Sequence, residues 1–294
     1  MATFTLDRDG LQRLLSDCFG EPVVLVGITE LGESSRETPW RVDFERKGRV
    51  ESALLRYGKG CSRNEVMALW AMESTSIPAP RVLLWDEAGD ALGIPVFLSE
   101  FINGEPLLPA MKRQETWAID LYLDTACEVQ DIQEGDLPQG TADTLEVGES
   151  ATDVLNAAYE MIETKDALVV SAYQRLREMQ PDLPSPQFSN GDLWPENLLV
   201  QDQKLQGIID WQHAGFSDPI FEFLLPFFLV PELRGLGIEE RFCERKGFGP
   251  EVLHWYHGLE FFDSLRWVLK TGKPYEMHTA DSLREDLNVW LEKG

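Results

Sequence analysis

The chain is short of positive charge. Its 294 residues carry 26 Lys and Arg against 51 Asp and Glu, a formal net charge of -25. A nucleic-acid binder neutralises phosphates with Lys and Arg, so the deficit argues against that class, and equally against docking on anionic lipid. Cysteine is sparse: Cys18, Cys61, Cys127 and Cys243 form no CxxC pair and have no metal-ligand spacing. That argues against a disulfide framework or a zinc site and fits a reducing compartment. Long apolar runs are missing, since the longest, residues 223–230, contains Pro226 and is too short to span a bilayer. The first residues have neither the basic region nor the apolar core of a signal peptide. A soluble cytoplasmic protein is expected. What the chain does have is 43% hydrophobic residues, enough for a sizeable core, so its acidity does not imply disorder.

Periodicity divides the chain in two. Leu11, Leu14, Leu15 and Cys18 predict a helix over 7–19 that stops at Gly20. Strands are expected at 23–29, 40–47 and 51–57, the last two joined at Gly48. Ser62, with Glu65 three residues on, reads as the cap of a helix over 62–72. Two more strands, 81–85 and 96–102, complete a β-rich N-terminal lobe of residues 1–102. Beyond Ile102-Asn103-Gly104 the pattern turns helical, with long helices over 110–132 and 152–179. Short strands follow at 198–201 and 205–210, then helices at 219–229, 251–270 and 280–291. An α+β chain with a helical C-terminal lobe, 103–294, is expected.

The chemistry concentrates in Asn190-Gly191-Asp192, Asn197, Asp210-Trp211 and Asp218-Pro219. Asp192 follows a glycine in a tight loop, Asn197 precedes one short apolar strand, and Asp210 ends the next. A carboxamide and a carboxylate at the ends of neighbouring strands can share one hard cation. Mg²⁺ favours such oxygen ligands and keeps phosphate oxygens and waters in its other positions. Asp192 is then left to orient a hydroxyl proton, which completes the parts that phosphoryl transfer requires.

With this spacing the chain resembles the aminoglycoside phosphotransferase and choline kinase family, small-molecule kinases with a two-lobed, protein-kinase-like fold. The resemblance implies ATP and Mg²⁺ as cofactors, Asp192 as catalytic base, and Asn197 and Asp210 as metal ligands. It implies that Arg56, in Leu54-Leu55-Arg56, grips the nucleotide phosphates with Glu65 as its helix partner, although a plain surface ion pair is the alternative. The backbone of Glu100 and Ile102 is expected to hold adenine, and Asp218 to brace the catalytic loop. Two departures stand out. Asn190 replaces the family's histidine, but its amide can still donate and accept hydrogen bonds. The phosphate-covering loop has few glycines; Ser34 and Ser35 could contact phosphates there, while Glu33 and Glu37 would repel them. The segment Gly58-Lys59-Gly60-Cys61-Ser62 lacks P-loop spacing.

Residues 128–166 carry eleven acids against Lys165 alone. If the segment walls the acceptor cleft, it suits an amine-bearing acceptor such as an aminosugar, aminocyclitol or amino alcohol; otherwise it is a solvated surface. Glu260, Asp263 and Trp267 share one helical face and could meet a cation, or Trp267 could pack in the core with Phe262 and Leu259. The expected activity is γ-phosphate transfer from ATP to a small-molecule hydroxyl. A nucleotide-binding regulatory module is the alternative. A protein kinase is disfavoured, because Asp210-Trp211 stands where such enzymes carry Asp-Phe-Gly.

Overall fold

The computed structural model describes residues 7–31 and 39–293. Its first hundred residues form α1 (Arg8–Phe19), β1 (Val24–Glu30), β2 (Trp40–Arg46), β3 (Arg49–Tyr57), α2 (Arg63–Met72), β4 (Val82–Asp86) and β5 (Val96–Glu100). Next come β6 (Glu105–Pro106), α3 (Leu108–Lys112), α4 (Thr116–Gln130), β7 (Glu146–Val147), α5 (Ala151–Met161) and α6 (Ala167–Glu178). The chain continues through β8 (Gln187–Ser189), β9 (Leu198–Gln201), β10 (Lys204–Ile208) and β11 (Gly215–Ser217). It ends with α7 (Pro219–Leu229), α8 (Ile238–Lys246), α9 (Pro250–Thr271) and α10 (Ala280–Lys293). The described residues fall into two units. One takes those of Met1–Glu105, Gly135–Leu145 and Leu198–Ala214; the other takes Pro106–Glu134, Glu146–Asn197 and the chain from Gly215 on.

The first unit is built on an antiparallel sheet in the order β1-β2-β3-β5-β4. Side chains alternate along each strand, and the register Val42↔Ala53 and Leu55↔Leu98 lines up one apolar face. That face packs on Leu11, Leu14 and Leu15 of α1. Asp7 caps α1 by accepting from the Asp9 N–H, and Gly20 closes it in the left-handed region. Arg56, one residue beyond Leu55, is turned to the opposite face of the sheet. Ser62 caps α2 through the Glu65 N–H, as the capping pattern predicts. The β9–β10 hairpin belongs to this unit, and the Ile208 N–H donates to the Pro78 carbonyl.

The second unit gathers around the 22-residue α9. Its core is aromatic: Tyr122, Phe223, Phe227, Phe242, Trp255, Tyr256 and Phe262 are all buried. The ring of Phe223 stacks on Phe242 at 3.8 Å and on Tyr122 at 5.6 Å. Outside the core, Asp120, Asp124 and Asp131 on or just after α4 pair with Arg241, Arg245 and Lys246 of α8.

The two long helices are each broken. Gln114, at φ 56°, separates α3 from α4, and Arg113 and Glu115 pair across the break. Extended backbone at Ile162 ends α5, and Asp166 opens α6 by accepting from the Val169 N–H at 3.1 Å. Helix α8 is absent from the sequence expectation because only Ile238, Phe242 and Cys243 of its nine residues are buried, too thin an apolar stripe to read. Among the described residues no helix is long and apolar enough to cross a membrane.

Gly258 lets α10 approach α9. A Cβ there would lie 2.4 Å from the ring of Trp290, whose Nε1 donates to the His254 carbonyl at 2.8 Å. Gly258→Ala is expected to lower the free energy of unfolding in urea by about 1–3 kcal/mol. The overpacking should outweigh the gain in helix propensity of about 1 kcal/mol.

Candidate active site

Gly191, at φ 76°, makes the turn that presents Asp192. The preceding Asn190 is fully buried. Its Nδ2 donates to the Asp192 carbonyl at 3.1 Å, and its Oδ1 accepts the Asp192 N–H at 3.4 Å. The asparagine therefore braces the loop from both sides of its amide. Asn197 closes the loop from the other end, its Nδ2 donating to the Asp192 carbonyl and to Oδ2, each at 2.9 Å. With Nδ2 spent on Asp192, the Asn197 Oδ1 is the atom left to ligate a cation. Asp192 itself is half-buried.

The acid that braces this loop is not Asp218. Asp218 caps α7 through the Ile220 and Phe221 N–H groups and accepts from the Tyr256 hydroxyl at 2.5 Å. The bracing falls to Glu222, one turn into α7. Its carboxylate accepts from the Ser189 hydroxyl at 2.5 Å, the Leu193 N–H at 3.1 Å and the Ser217 hydroxyl at 3.2 Å. Burial raises its pKa, and those three donors work against the rise. Sequence reading missed Glu222 because a lone acid within an apolar helix carries no motif; the available signal was that burying a carboxylate requires partners. Tyr122 adds a further hold, donating to the Leu193 carbonyl at 2.8 Å.

In the first unit, Arg56 and Glu65 meet. Arg56 Nε lies 3.4 Å from Glu65 Oε2, with the two side chains 16% and 4% exposed. Such burial rules out the plain surface pair. It also pushes the Glu65 pKa up to about 7; Arg56 opposes the shift and the nearby Asp210 adds to it. Asp210 sits at φ 61°, a left-handed conformation that Asp tolerates better than most residues and that clusters at functional sites. Its Oδ1, Arg56 Nε and Glu65 Oε2 are all buried without a hydrogen-bond partner among the described residues. Arg56 Nε and Glu65 Oε2 face each other as the 3.4 Å ion pair, so Asp210 Oδ1 is the orphan of the cluster. Buried polar atoms are almost always paired, and its place beside a charged pair suits a polar ligand. Asn64, next to Glu65, donates to the carbonyls of Gln212 at 3.1 Å and Ala214 at 2.8 Å. Trp211 is fully buried and donates to the Ile208 carbonyl at 2.7 Å.

The other expected residues fare differently. Glu100 and Ile102 line a cleft of about 530 Å³, with Arg41, Ser52 and Phe101 among its walls. The Glu100 N–H is already committed to the Arg81 carbonyl at 2.9 Å, and its carboxylate to Arg81 Nε at 2.8 Å. The Glu100 N–H is therefore not available to a base, which narrows the expectation for that residue. Ser34 and Ser35 lie outside the described residues. Among the described residues no group of three or more His, Cys, Asp and Glu is arranged to hold a metal. The expected Mg²⁺ site draws on Asn197 and Asp210 alone, which lie in different units. Asn197 Oδ1 and the orphaned Asp210 Oδ1 are both hard oxygen donors suited to Mg²⁺.

The model of the phosphotransferase enzyme family matches residues 56–256 of the sequence. The chain belongs to that family. The match starts at Arg56 and takes in the loop around Asp192 as well as Asp210 and Glu222. Solved structures of similar fold include a thermostable mutant of the aminoglycoside phosphotransferase APH(4)-Ia in ternary complex with ADP and hygromycin B. It is 16% identical, with a TM-score of 0.62 and coverage of 97% of this chain and 99% of that one. A Ralstonia eutropha protein provisionally designated an aminoglycoside phosphotransferase gives 14% identity, a TM-score of 0.70, and coverage of 98% and 99%. Choline kinase LicA from Streptococcus pneumoniae gives 15% identity, a TM-score of 0.56, and coverage of 97% and 98%. At these identities the likeness establishes the α+β kinase-like fold. No curated protein matches the sequence.

The Glu222 brace can be tested directly. Glu222→Ala strands two hydroxyls and one N–H and should cost at least about 2 kcal/mol in urea unfolding. Glu222→Gln, which keeps an accepting oxygen, should cost less.

Proposed function

We propose that this phosphotransferase moves the γ-phosphate of ATP to a hydroxyl of a small, amine-bearing molecule. The observation that carries the reading is the buried Arg56–Glu65 ion pair beside the orphaned Asp210 Oδ1, which suits a charged phosphate–metal ligand. In this reading Arg56 contacts phosphate oxygens and Glu65 holds the guanidinium in place. Ile102 and the Glu100 carbonyl meet the adenine. Asn197 and Asp210 hold Mg²⁺, which when bound neutralises developing charge on the phosphate oxygens. Asp192 accepts the acceptor's hydroxyl proton and aligns its oxygen for in-line attack. Its carboxylate is held by Asn197 on one side, and its backbone by Asn190.

Asn190 bears on the alternative, a regulatory module with little catalysis. Both halves of its amide are used to hold the loop that presents Asp192, so replacement of the family histidine leaves the loop braced and supports the catalytic reading. The amine-bearing acceptor draws support from the net charge of -25. It also draws on the aminoglycoside phosphotransferase and the choline kinase among structures of the same fold. The acidic segment lends less support than its charge count suggests. Asp131 and Asp166 are paired with Lys246 and Arg284, Asp153 is bonded to Ser150, and Gly135–Leu145 belongs to the first unit.

Incubation with Mg·ATP and a panel of aminosugars, aminocyclitols and amino alcohols, read by ADP release and acceptor mass, tests the proposal. One acceptor should gain a phosphate. Asp192→Asn should lose about 10²–10⁴-fold of that turnover while Mg·ATP still raises its melting temperature as in the wild type. Equal background ADP release by both chains across the panel would sink the kinase reading.

A further inference from the structure

In the second unit, a cavity of about 190 Å³ takes no part in the proposed reaction. On α7 it is lined by Leu224, Phe227 and Phe228. At about 100° per residue these lie roughly 140–240° around the helix from Glu222. The cavity and the Asp192 loop therefore take opposite sides of α7. Glu239 of α8, Glu260 and Phe261 of α9 and Asp286 of α10 line it as well, together with the basic side chains of Arg234, His257 and His278.

Glu260 is out of place as a packing residue. It is 4% exposed, and the bond it makes among the described residues is at the limit of range, from the Ser264 hydroxyl to Oε1 at 3.5 Å. Its Oε2 is buried without a partner among the described residues. Burial, reinforced by Asp263, pushes the Glu260 pKa up to about 8, so the group is mostly a neutral acid at pH 7.

The charged neighbours favour a cation. Glu239 bonds His257 Nε2 at 2.9 Å, and burial raises the pKa of Asp286. Arg234, exposed on the rim, is spent on the Phe228 carbonyl and on His278 Nε2 at 2.6 Å. Toward Arg234, which can only donate, Nε2 must accept, while the Phe228 carbonyl 3.1 Å from the same Nε2 can only accept. Burial and Arg234 lower the His278 pKa against that carbonyl, which favours the neutral ring. Three carboxyl groups thus face one committed guanidinium. The ring of Phe228 stacks on His278 at 4.0 Å and lies 5.9 Å from Phe261. Carboxyl oxygens beside aromatic faces are the chemistry that holds an organic ammonium.

We propose that this cavity is a second small-molecule site, separate from the reaction centre, that binds a compact organic ammonium ion against the Glu260 carboxyl. Cavities near 150 Å³ hold benzene, so about six to eight non-hydrogen atoms fit here. The bound cation favours the carboxylate, so at neutral pH binding expels the Glu260 proton. Affinity then rises as pH climbs through about 8.

Titration calorimetry of the full chain with cyclohexylammonium tests this, with cyclohexanol and cyclohexanecarboxylate as controls of similar shape. The ammonium should bind and release protons, seen as a dependence of the heat on the buffer's ionisation enthalpy. Its affinity should rise with pH, and both controls should bind at least about tenfold more weakly. Glu260→Gln should weaken the ammonium about tenfold or more and abolish proton release, whereas Asp192→Asn should bind it like the wild type. Proton release is read on the wild-type chain, so the test survives if Glu260→Gln fails to fold. Absence of binding, equal affinity for cyclohexanol, or loss of the probe in Asp192→Asn each overturns the proposal.

Discussion

Ser189, Leu193 and Ser217 converge on the Glu222 carboxylate, and the geometry of the proposed catalytic loop depends on that convergence. The three donors come from the strand that leads into the loop, from the loop itself, and from the strand just before α7. Each donor alone contributes modestly, but inside a protein they act on an anion removed from water, where charge-assisted bonds are stronger than neutral ones. Asp192 can then be presented on an otherwise short and irregular turn without a surrounding helix or long strand. Asn190 and Asn197 fix the Asp192 backbone locally, and Glu222 ties that local unit to the aromatic core through Phe223, its neighbour on α7, which stacks on Tyr122 and Phe242.

What the sequence made legible follows the range of the interactions involved. The N-terminal sheet could be read because Trp40, Val42 and Phe44 alternate with Arg41 and Asp43 and Gly48 marks the turn. The loop motif could be read because Asn190, Asp192 and Asn197 lie within eight residues of one another. The helix breaks at Gln114 and near Ile162 could not be read: neither has a Pro or Gly, and each depends on a backbone conformation set by its surroundings. Glu222 was hidden for the opposite reason, since its partners lie up to 33 residues away. For Glu260, helical periodicity identified a shared face with Asp263 and Trp267 but not its direction. The face divides, with Glu260 turned inward and Asp263 paired with Arg266 at 2.8 Å.

The acidity that opens the sequence is distributed more than it is concentrated. Part of it is structural, in the pairs that join α4 to α8 and in the caps of α1, α6 and α7. Such exposed pairs contribute little individually, yet they neutralise acids that would otherwise repel one another. The acids with mechanistic interest are Glu65 and Glu260, which are buried, and Glu222, which is half-buried. They differ in how completely their oxygens are satisfied: Glu222 is saturated with donors, Glu65 faces one guanidinium, and Glu260 has a distant hydroxyl. That gradient separates a structural carboxylate from two that have capacity left for a ligand.

Asn64 has a consequence for how the first unit responds to its ligands. Its amide grips two carbonyls just beyond Asp210, while its neighbour Glu65 faces Arg56. A displacement of α2 that separated Glu65 from Arg56 would also pull on the backbone that follows Asp210. The two halves of this cluster therefore form one thermodynamic unit. Whatever orders either half thereby lowers the cost of ordering the other, without touching Asn64 itself.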